Sequence, residues 1–115
     1  MMPSDAYIGA ISHALGIVPV LQRQLGGPME FKFKVCQEDL PGLPGLEKGD
    51  CVFPVASEII EGYEYEVWHR LSDGITAKTR IEHHSALTDV TVEGSCRAEL
   101  MEKALKEGDR VRYGQ

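Results

Sequence analysis

Three cysteines and four histidines are the side chains in this sequence that most readily bind metal ions. They are Cys36, Cys51, Cys96, His13, His69, His83 and His84. Structural zinc sites usually take ligands from cysteine pairs only a few residues apart, and no two cysteines here are that close. His83 and His84 are adjacent, so in a strand their side chains point to opposite faces. The spacing therefore predicts no metal site and no cofactor.

A cysteine nucleophile would need a thiol activated by its surroundings or by a neighbouring base. Cys51 follows Asp50 beside a loop, and Cys96 lies where a helix is predicted to begin, a position at which thiols are often reactive. An isolated cysteine is far more often a small buried apolar residue. No nucleophile-elbow, phosphate-loop or His-Glu-x-x-His motif is present. A cysteine- or histidine-dependent enzyme is therefore a secondary alternative.

Negative charge is concentrated in residues 36–62, which contain six carboxylates and one lysine. The carboxylates are Glu38, Asp39, Glu47, Asp50, Glu58 and Glu61. They lack the regular alternate spacing of a calcium-binding loop. By default such a stretch is a solvated loop, and its functional alternative is an acidic face on which a basic partner protein docks.

A second candidate binding surface centres on Trp68. Alternation along its strand places Trp68 on the polar face, among charged neighbours. An exposed tryptophan surrounded by charge is typical of an interface anchor. We therefore predict a partner-binding group made of Trp68, Arg70, Lys78 and Arg80.

Basic and aromatic residues also alternate at Phe31, Lys32, Phe33 and Lys34, a pattern that in some sheets stacks nucleic-acid bases. The two phenylalanines, however, share the face opposite the lysines, as core residues do. The net charge of −6 disfavours nonspecific binding to nucleic acid or to anionic membranes. These observations favour a protein partner over nucleic acid.

The most specific structural pattern is a hairpin made of residues 63–71 and 75–83, joined by the Ser-Asp-Gly sequence 72–74. With a three-residue loop and its glycine in the left-handed conformation, Val67 faces Thr79. This register collects the apolar side chains on one face and the charged ones on the other. It predicts a sheet with one buried and one solvent-exposed side.

The N-terminal segment is apolar over most of its circumference if it is helical. Ser4 or Asp5 can cap a helix to about Leu15, and a short second helix is predicted over residues 19–25. Such a helix must be buried by the sheet or by another chain. We therefore predict a homo-oligomer with Tyr7, Ile8, Ile11 and Leu15 in its interface. An alternative function is small-ligand binding in a pocket between this helix and the sheet.

Three further extended segments are expected. Residues 29–35 alternate cleanly between apolar and polar side chains, and residues 87–93 form a weaker extended run. Residues 51–55 are extended, with Pro54 restricting them to a sheet edge or a bulge. Residues 56–61 fit either a strand or a helical turn. The doubled Leu-Pro-Gly of residues 40–46 predicts a loop with apolar anchors.

Near the C-terminus, Ser95 can cap a helix over residues 96–107 that Gly108 ends, before a last strand at residues 109–113. The predicted fold is a single α+β domain over residues 1–115. An N-terminal helix or helix pair packs on a mainly antiparallel sheet that can become barrel-like, and a C-terminal helix precedes the last strand.

The composition is that of an ordinary globular domain, with 43% hydrophobic and 26% charged residues. An odd number of widely spaced cysteines favours reduced thiols in the cytoplasm. Polar residues, glycines and a proline in residues 6–25 argue against a membrane span. We therefore expect a cytoplasmic, non-enzymatic, acidic interaction module of the inhibitor or adaptor type.

Overall fold

The computed structural model describes residues 28–114 and the backbone of Leu21–Gln22. This part of the chain contains strands, a short 3-10 helix and one α-helix, α1, in an α+β arrangement. In chain order they are β1 (Leu21–Gln22), β2 (Met29–Cys36), β3 (Cys51–Ile60), β4 (Tyr63–Arg70), β5 (Thr76–Arg80), the 3-10 helix (Ile81–Ala86), β6 (Leu87–Gly94) and α1 (Arg97–Tyr113).

All strand pairs are antiparallel, and the sheet is curled into a half-barrel. Strand β2 pairs along its whole length with β6. On its other side, β2 pairs with β1 near its start and with β3 near its end. Strands β4 and β5 follow β3 across the sheet. The predictions of an antiparallel α+β fold and of strands at 29–35 and 87–93 are therefore confirmed.

Apolar residues are buried on both faces of the sheet. On one face, α1 packs against β2, β6 and β3 with Leu100, Met101 and Ala104. The other members of this helix-side cluster are Phe31, Phe33, Val35, Cys51, Phe53, Leu71 and Val92. A second cluster lies on the opposite face and contains Cys36, Leu40, Leu46, Val52, Trp68, Ala77 and Leu87. The prediction of one buried and one exposed face is therefore wrong around these residues.

The predicted register of the β4–β5 hairpin is wrong by one residue. Val67 faces Lys78 rather than Thr79, and Trp68 faces Ala77. The loop has four residues rather than three, because the N–H of Arg70 bonds the carbonyl of Ile75 at 3.0 Å. Leu71, the first loop residue, is fully buried in the helix-side cluster and donates its N–H to Cys51. Burial of this leucine favours the longer loop over the three-residue turn.

A second hairpin, between β3 and β4, was not predicted. Residues 56–60, ambiguous in the sequence, continue β3 as a strand after a bulge between Pro54 and Ala56. The bulge agrees with the restriction predicted for Pro54. Glu61 and Gly62 then form a two-residue turn in which both φ angles are positive, at 50° and 85°. This is the turn geometry that matches the twist of two antiparallel strands.

The C-terminal helix is longer than predicted, and no strand follows it within the described residues. Gly108 lies inside α1 instead of ending it, and residues 109–113, predicted as a strand, are helical. The helix ends at Gly114, which has a φ of 71°. A Cβ at Gly108 would lie only 2.3 Å from the carbonyl oxygen of Gly49. The glycine therefore permits close packing of the helix on the sheet rather than terminating it.

The predicted N-terminal helix and the oligomer residues Tyr7, Ile8, Ile11 and Leu15 lie outside the described residues. The second helix, predicted over residues 19–25, is corrected where the structure describes it. Leu21 and Gln22 form β1 and pair with Glu30 and Met29.

Candidate functional site

The distal half of the β3–β4 hairpin is the most exposed sheet segment among the described residues. We call residues 55–66 the β3–β4 arm. No residue of the arm is buried, and it carries Val55, Ile59 and Tyr63 with exposed fractions of 41%, 76% and 52%. Ile59 and Tyr63 lie on opposite faces of the arm, so each face presents a large exposed apolar side chain of the kind found at interaction sites.

The arm follows directly from the way in which β3 leaves the sheet. Strand β2 pairs with β3 only at Cys51 and Val52. Beyond them, β3 continues to Ile60 with β4 as its partner on one side. In the described part of the chain, no strand pairs with the other side of residues 55–60, which we call the β3 edge.

The turn geometry shows which backbone groups face outward at the β3 edge. Ile60 and Tyr63 close the two-residue turn, so their N–H and C=O groups bond to each other. Backbone direction alternates along a strand. The N–H and C=O groups of Ser57 and Ile59 therefore point away from β4.

The arm has four carboxylates and no basic residue. Glu58 is neutralised by Lys78 on β5, with 3.1 Å between the carboxylate oxygen and Nζ. Glu64 faces Ile59 and Glu66 faces Ser57 across the two strands, so these acids border the exposed isoleucine. Glu61 lies at the turn. The arm thus combines apolar surface with negative charge.

The expectation that Trp68 is solvent-exposed is wrong, since only 1% of it is accessible. The one-residue change in register places Ala77 opposite it, and Leu40 and Leu46 cover this face in the second cluster. Its indole Nε1 donates a 2.8 Å hydrogen bond to Oγ1 of Thr79. Trp68 is therefore a core residue and is not available as an exposed interface anchor.

The three basic residues predicted to surround Trp68 lie on both faces of the hairpin and bind acids of this chain. Arg70 makes two hydrogen bonds to Asp73 in the loop, at 3.1 and 2.6 Å. The guanidinium of Arg80 lies 3.8 Å from the ring centre of Tyr63 and bonds Glu82. Lys78 connects β5 to β3 through Glu58, whereas the contacts of Arg70 and Arg80 lie within the β4–β5 hairpin and the residues that follow it.

The six predicted acidic residues do not form one face. Asp50 is buried and accepts the N–H of Glu47 at 2.8 Å, so it stabilises a turn. Asp39 similarly accepts the N–H of Lys48. With Glu38 and Glu47, these residues belong to the loops between β2 and β3. Glu58 and Glu61 lie near the far end of β3, about 30 Å away at the rise of an extended strand.

Two of the three thiols are unsuited to nucleophilic chemistry. Burial raises the pKa of Cys36 to about 11 and that of Cys51 to about 12. Cys51 also donates to the carbonyl of Ala104 in α1, at 3.2 Å. Both thiols therefore stay protonated at neutral pH. Cys96 is exposed at the start of α1.

Two of the histidines, His69 and His84, pack against aromatic side chains. His69 stacks on Phe53 with 5.2 Å between ring centres, and His84 meets the edge of Trp68 at 5.3 Å. Within the described residues, no three His, Cys, Asp or Glu side chains are grouped so as to hold a metal ion.

The pocket of the alternative ligand-binding function was predicted against the N-terminal helix, and that helix lies outside the described residues. In the described part of the chain, no helix is long and apolar enough to cross a membrane. Comparisons with protein-family models, with curated proteins and with solved structures give no match.

Proposed function

We propose that the protein is a non-enzymatic interaction module that binds a basic partner protein through the β3–β4 arm. The observation that carries this proposal is the exposure of Ile59 beside Glu64 and Glu66, with Glu61 at the turn, while Lys78 neutralises Glu58, the fourth carboxylate of the arm.

Exposed apolar area gives the arm a source of binding free energy. Covering such side chains removes apolar surface from water, and this contributes a binding free energy of about 25 cal/mol per Å² of apolar surface. Interface cores are rich in aromatic and apolar residues, and their rims are polar. Ile59 suits the core of such a surface, and Glu61, Glu64 and Glu66 suit its rim, whereas Tyr63 lies on the other face of the arm, opposite Ile60 and in contact with Arg80.

Charge supports a basic partner over a neutral or acidic one. The carboxylates of Glu61, Glu64 and Glu66 lie on a projecting hairpin, where they repel acidic proteins and attract basic ones. The loops between β2 and β3 also carry acids, but Lys48 lies among them and Asp39 and Asp50 bind backbone amides. The arm is therefore the stronger acidic surface for docking.

The predicted self-association depends on residues outside the described part of the chain and stays a prediction. The proposed arm does not require it, because the apolar and acidic side chains come from one hairpin of one protomer.

The test compares two variants with the same loss of charge. Glu61→Gln/Glu64→Gln changes the arm, and Glu38→Gln/Glu47→Gln changes exposed acids of the β2–β3 loops. Each protein is immobilised and exposed to an extract of the native host. Retained proteins are identified by mass spectrometry, purified and titrated by calorimetry.

We expect a basic protein that binds the wild type and the loop variant alike and binds the arm variant about tenfold more weakly, with an affinity that falls as salt is added. Equal binding of the wild type and the arm variant, or loss of binding in the loop variant alone, would show that the arm is not the site.

A further inference from the structure

Among the described residues, the β3 edge is left uncovered, whereas the outer edges of β5 and β6 are protected. At β5, the loop of residues 40–46 protects the outer edge. The N–H of Lys78 bonds the carbonyl of Pro44 at 2.8 Å, and its carbonyl accepts the N–H of Leu43 at 3.3 Å. Natural sheets commonly cover their edges in this way to prevent unwanted pairing.

The outer edge of β6 also has a protective feature. Lys103 of α1 reaches the carbonyl of Glu93 at 2.6 Å, and the apolar residues Leu87 and Val92 of this strand are buried. The β3 edge instead presents Val55 and Ile59 to solvent beside the outward backbone groups of Ser57 and Ile59. It has no lysine of the kind that discourages strand pairing.

We infer that the β3 edge binds its partner by strand addition: an extended segment of the basic protein pairs with residues 55–60 and prolongs the sheet. This inference rests on the proposed function and specifies how the arm binds. Main-chain hydrogen bonds to Ser57 and Ile59 supply the pairing, and side chains on the two faces supply selectivity.

The alternation of β3 specifies the chemistry of the added segment. Beyond the bulge at Val55, the side chains of Ser57 and Ile59 share one face, and Glu58 lies on the other. Side chains directly opposite each other in neighbouring strands lie about 5 Å apart. An apolar side chain of the partner therefore covers Ile59. The alternate positions lie next to Glu58, whose carboxylate binds Lys78 from β5, and a lysine or arginine there meets the acidic side of this ion pair.

The same charges argue against a second copy of this chain as the occupant. When two copies pair antiparallel about a two-fold axis through their outward backbone groups, odd-numbered residues of β3 face odd-numbered ones and even-numbered residues face even-numbered ones. A pairing centred on Glu58 would oppose two glutamates. One centred on Ser57 would still bring both acidic arms together.

The experiment uses a soluble octapeptide of alternating lysine and valine, and a second peptide identical except for methyl groups on every other backbone nitrogen. Both peptides have the same charge and side chains, but the second cannot donate hydrogen bonds from the edge that carries the methyl groups. Binding to the full chain is titrated, and amide exchange is followed by NMR.

The protein variant is Ser57→Pro, which removes one outward N–H, and the control is Ile75→Ser, which removes an exposed isoleucine away from the β3 edge.

Strand addition predicts saturable binding of the first peptide, with slowed exchange at the amides of Ser57 and Ile59. Methylation of the peptide and Ser57→Pro should each weaken binding about tenfold, the size expected for one or two lost hydrogen bonds, and Ile75→Ser should not. If Ser57→Pro fails to fold, the pair of peptides gives the answer with wild-type protein alone.

Equal binding of both peptides overturns strand addition. If that binding also depends on Glu61 and Glu64, the arm remains the docking site and only the mode is wrong. Concentration-dependent protection of Ser57 and Ile59 without any peptide would overturn the inference in favour of a second copy.

Discussion

The indole Nε1 of Trp68 donates a 2.8 Å hydrogen bond to Oγ1 of Thr79 on the neighbouring strand, on the sheet face opposite α1. Both residues are fully buried. This bond joins β4 to β5 through side chains, in addition to the backbone pairing. It shows that the face predicted to contact solvent and partner is part of the core.

Trp68→Ala should therefore lower the free energy of unfolding by about 3–5 kcal/mol, the cost of removing a large buried aromatic side chain. A urea titration followed by circular dichroism measures the change. Ile75→Ala is the control and should change it by less than about 1 kcal/mol, because Ile75 is exposed. A small effect of Trp68→Ala would contradict its burial.

Gly108→Ala should destabilise the protein, although alanine is normally better than glycine inside a helix by about 1 kcal/mol. The added Cβ would lie 2.3 Å from the carbonyl oxygen of Gly49 and 2.7 Å from Sγ of Cys51. Relief of this overlap requires α1 to move from the sheet, at a cost of about 1–3 kcal/mol. Thermal unfolding measures the effect, and a raised melting temperature would show that the helix does not pack this closely.

Strand β2 and Trp68 show what sequence patterns predict in this fold and what they miss. The alternation in residues 29–35 is strong because β2 lies at the centre of the sheet, with phenylalanines facing the helix. Trp68 was misplaced because alternation separates two faces but does not say whether both are covered. The loop of residues 40–46 adds Leu40 and Leu46 to the second face, and that contact is nonlocal.

Local signals failed where tertiary packing overrode them. Gly108 resembles a helix end in sequence, but its missing Cβ is needed for contact with Gly49. The candidate arm could have been found from Glu61-Gly62, a two-residue turn signal between two alternating segments. That signal is weak, because glutamate is uncommon with positive φ.

Glu99 should make stability depend on pH in the acid range. Its carboxylate accepts hydrogen bonds from the backbone N–H and the hydroxyl group of Ser95 and pairs with Lys103. These bonds lower the pKa of Glu99 to about 2 from an ordinary value of 4.5. Its contribution is therefore complete above about pH 4.5 and disappears as the pH falls toward 2. The stability difference between wild type and Glu99→Gln should shrink over this interval, and a constant difference would contradict the lowered pKa.

The thiols should differ strongly in reactivity. Burial holds the pKa of Cys36 near 11 and that of Cys51 near 12, so few of either are thiolates at pH 8. Cys96 is exposed. Native protein treated with a thiol reagent should show rapid labelling at Cys96, and Cys96→Ser should remove it. Rapid labelling of a second cysteine in the folded protein would contradict the burial of the other two.

Glu61→Asn should stabilise the β3–β4 arm. Glu61 has a φ of 50°, and asparagine adopts this left-handed conformation more readily than other residues with side chains. The Asn-Gly pair is also the preferred sequence for a two-residue turn of this type. The free energy of unfolding should rise by about 0.5–1 kcal/mol, and amides near the turn should exchange more slowly. Glu61→Gln is the matched control, because it removes the same charge without improving the turn. Equal stability of the two variants would show that removal of charge, rather than turn geometry, determines the effect.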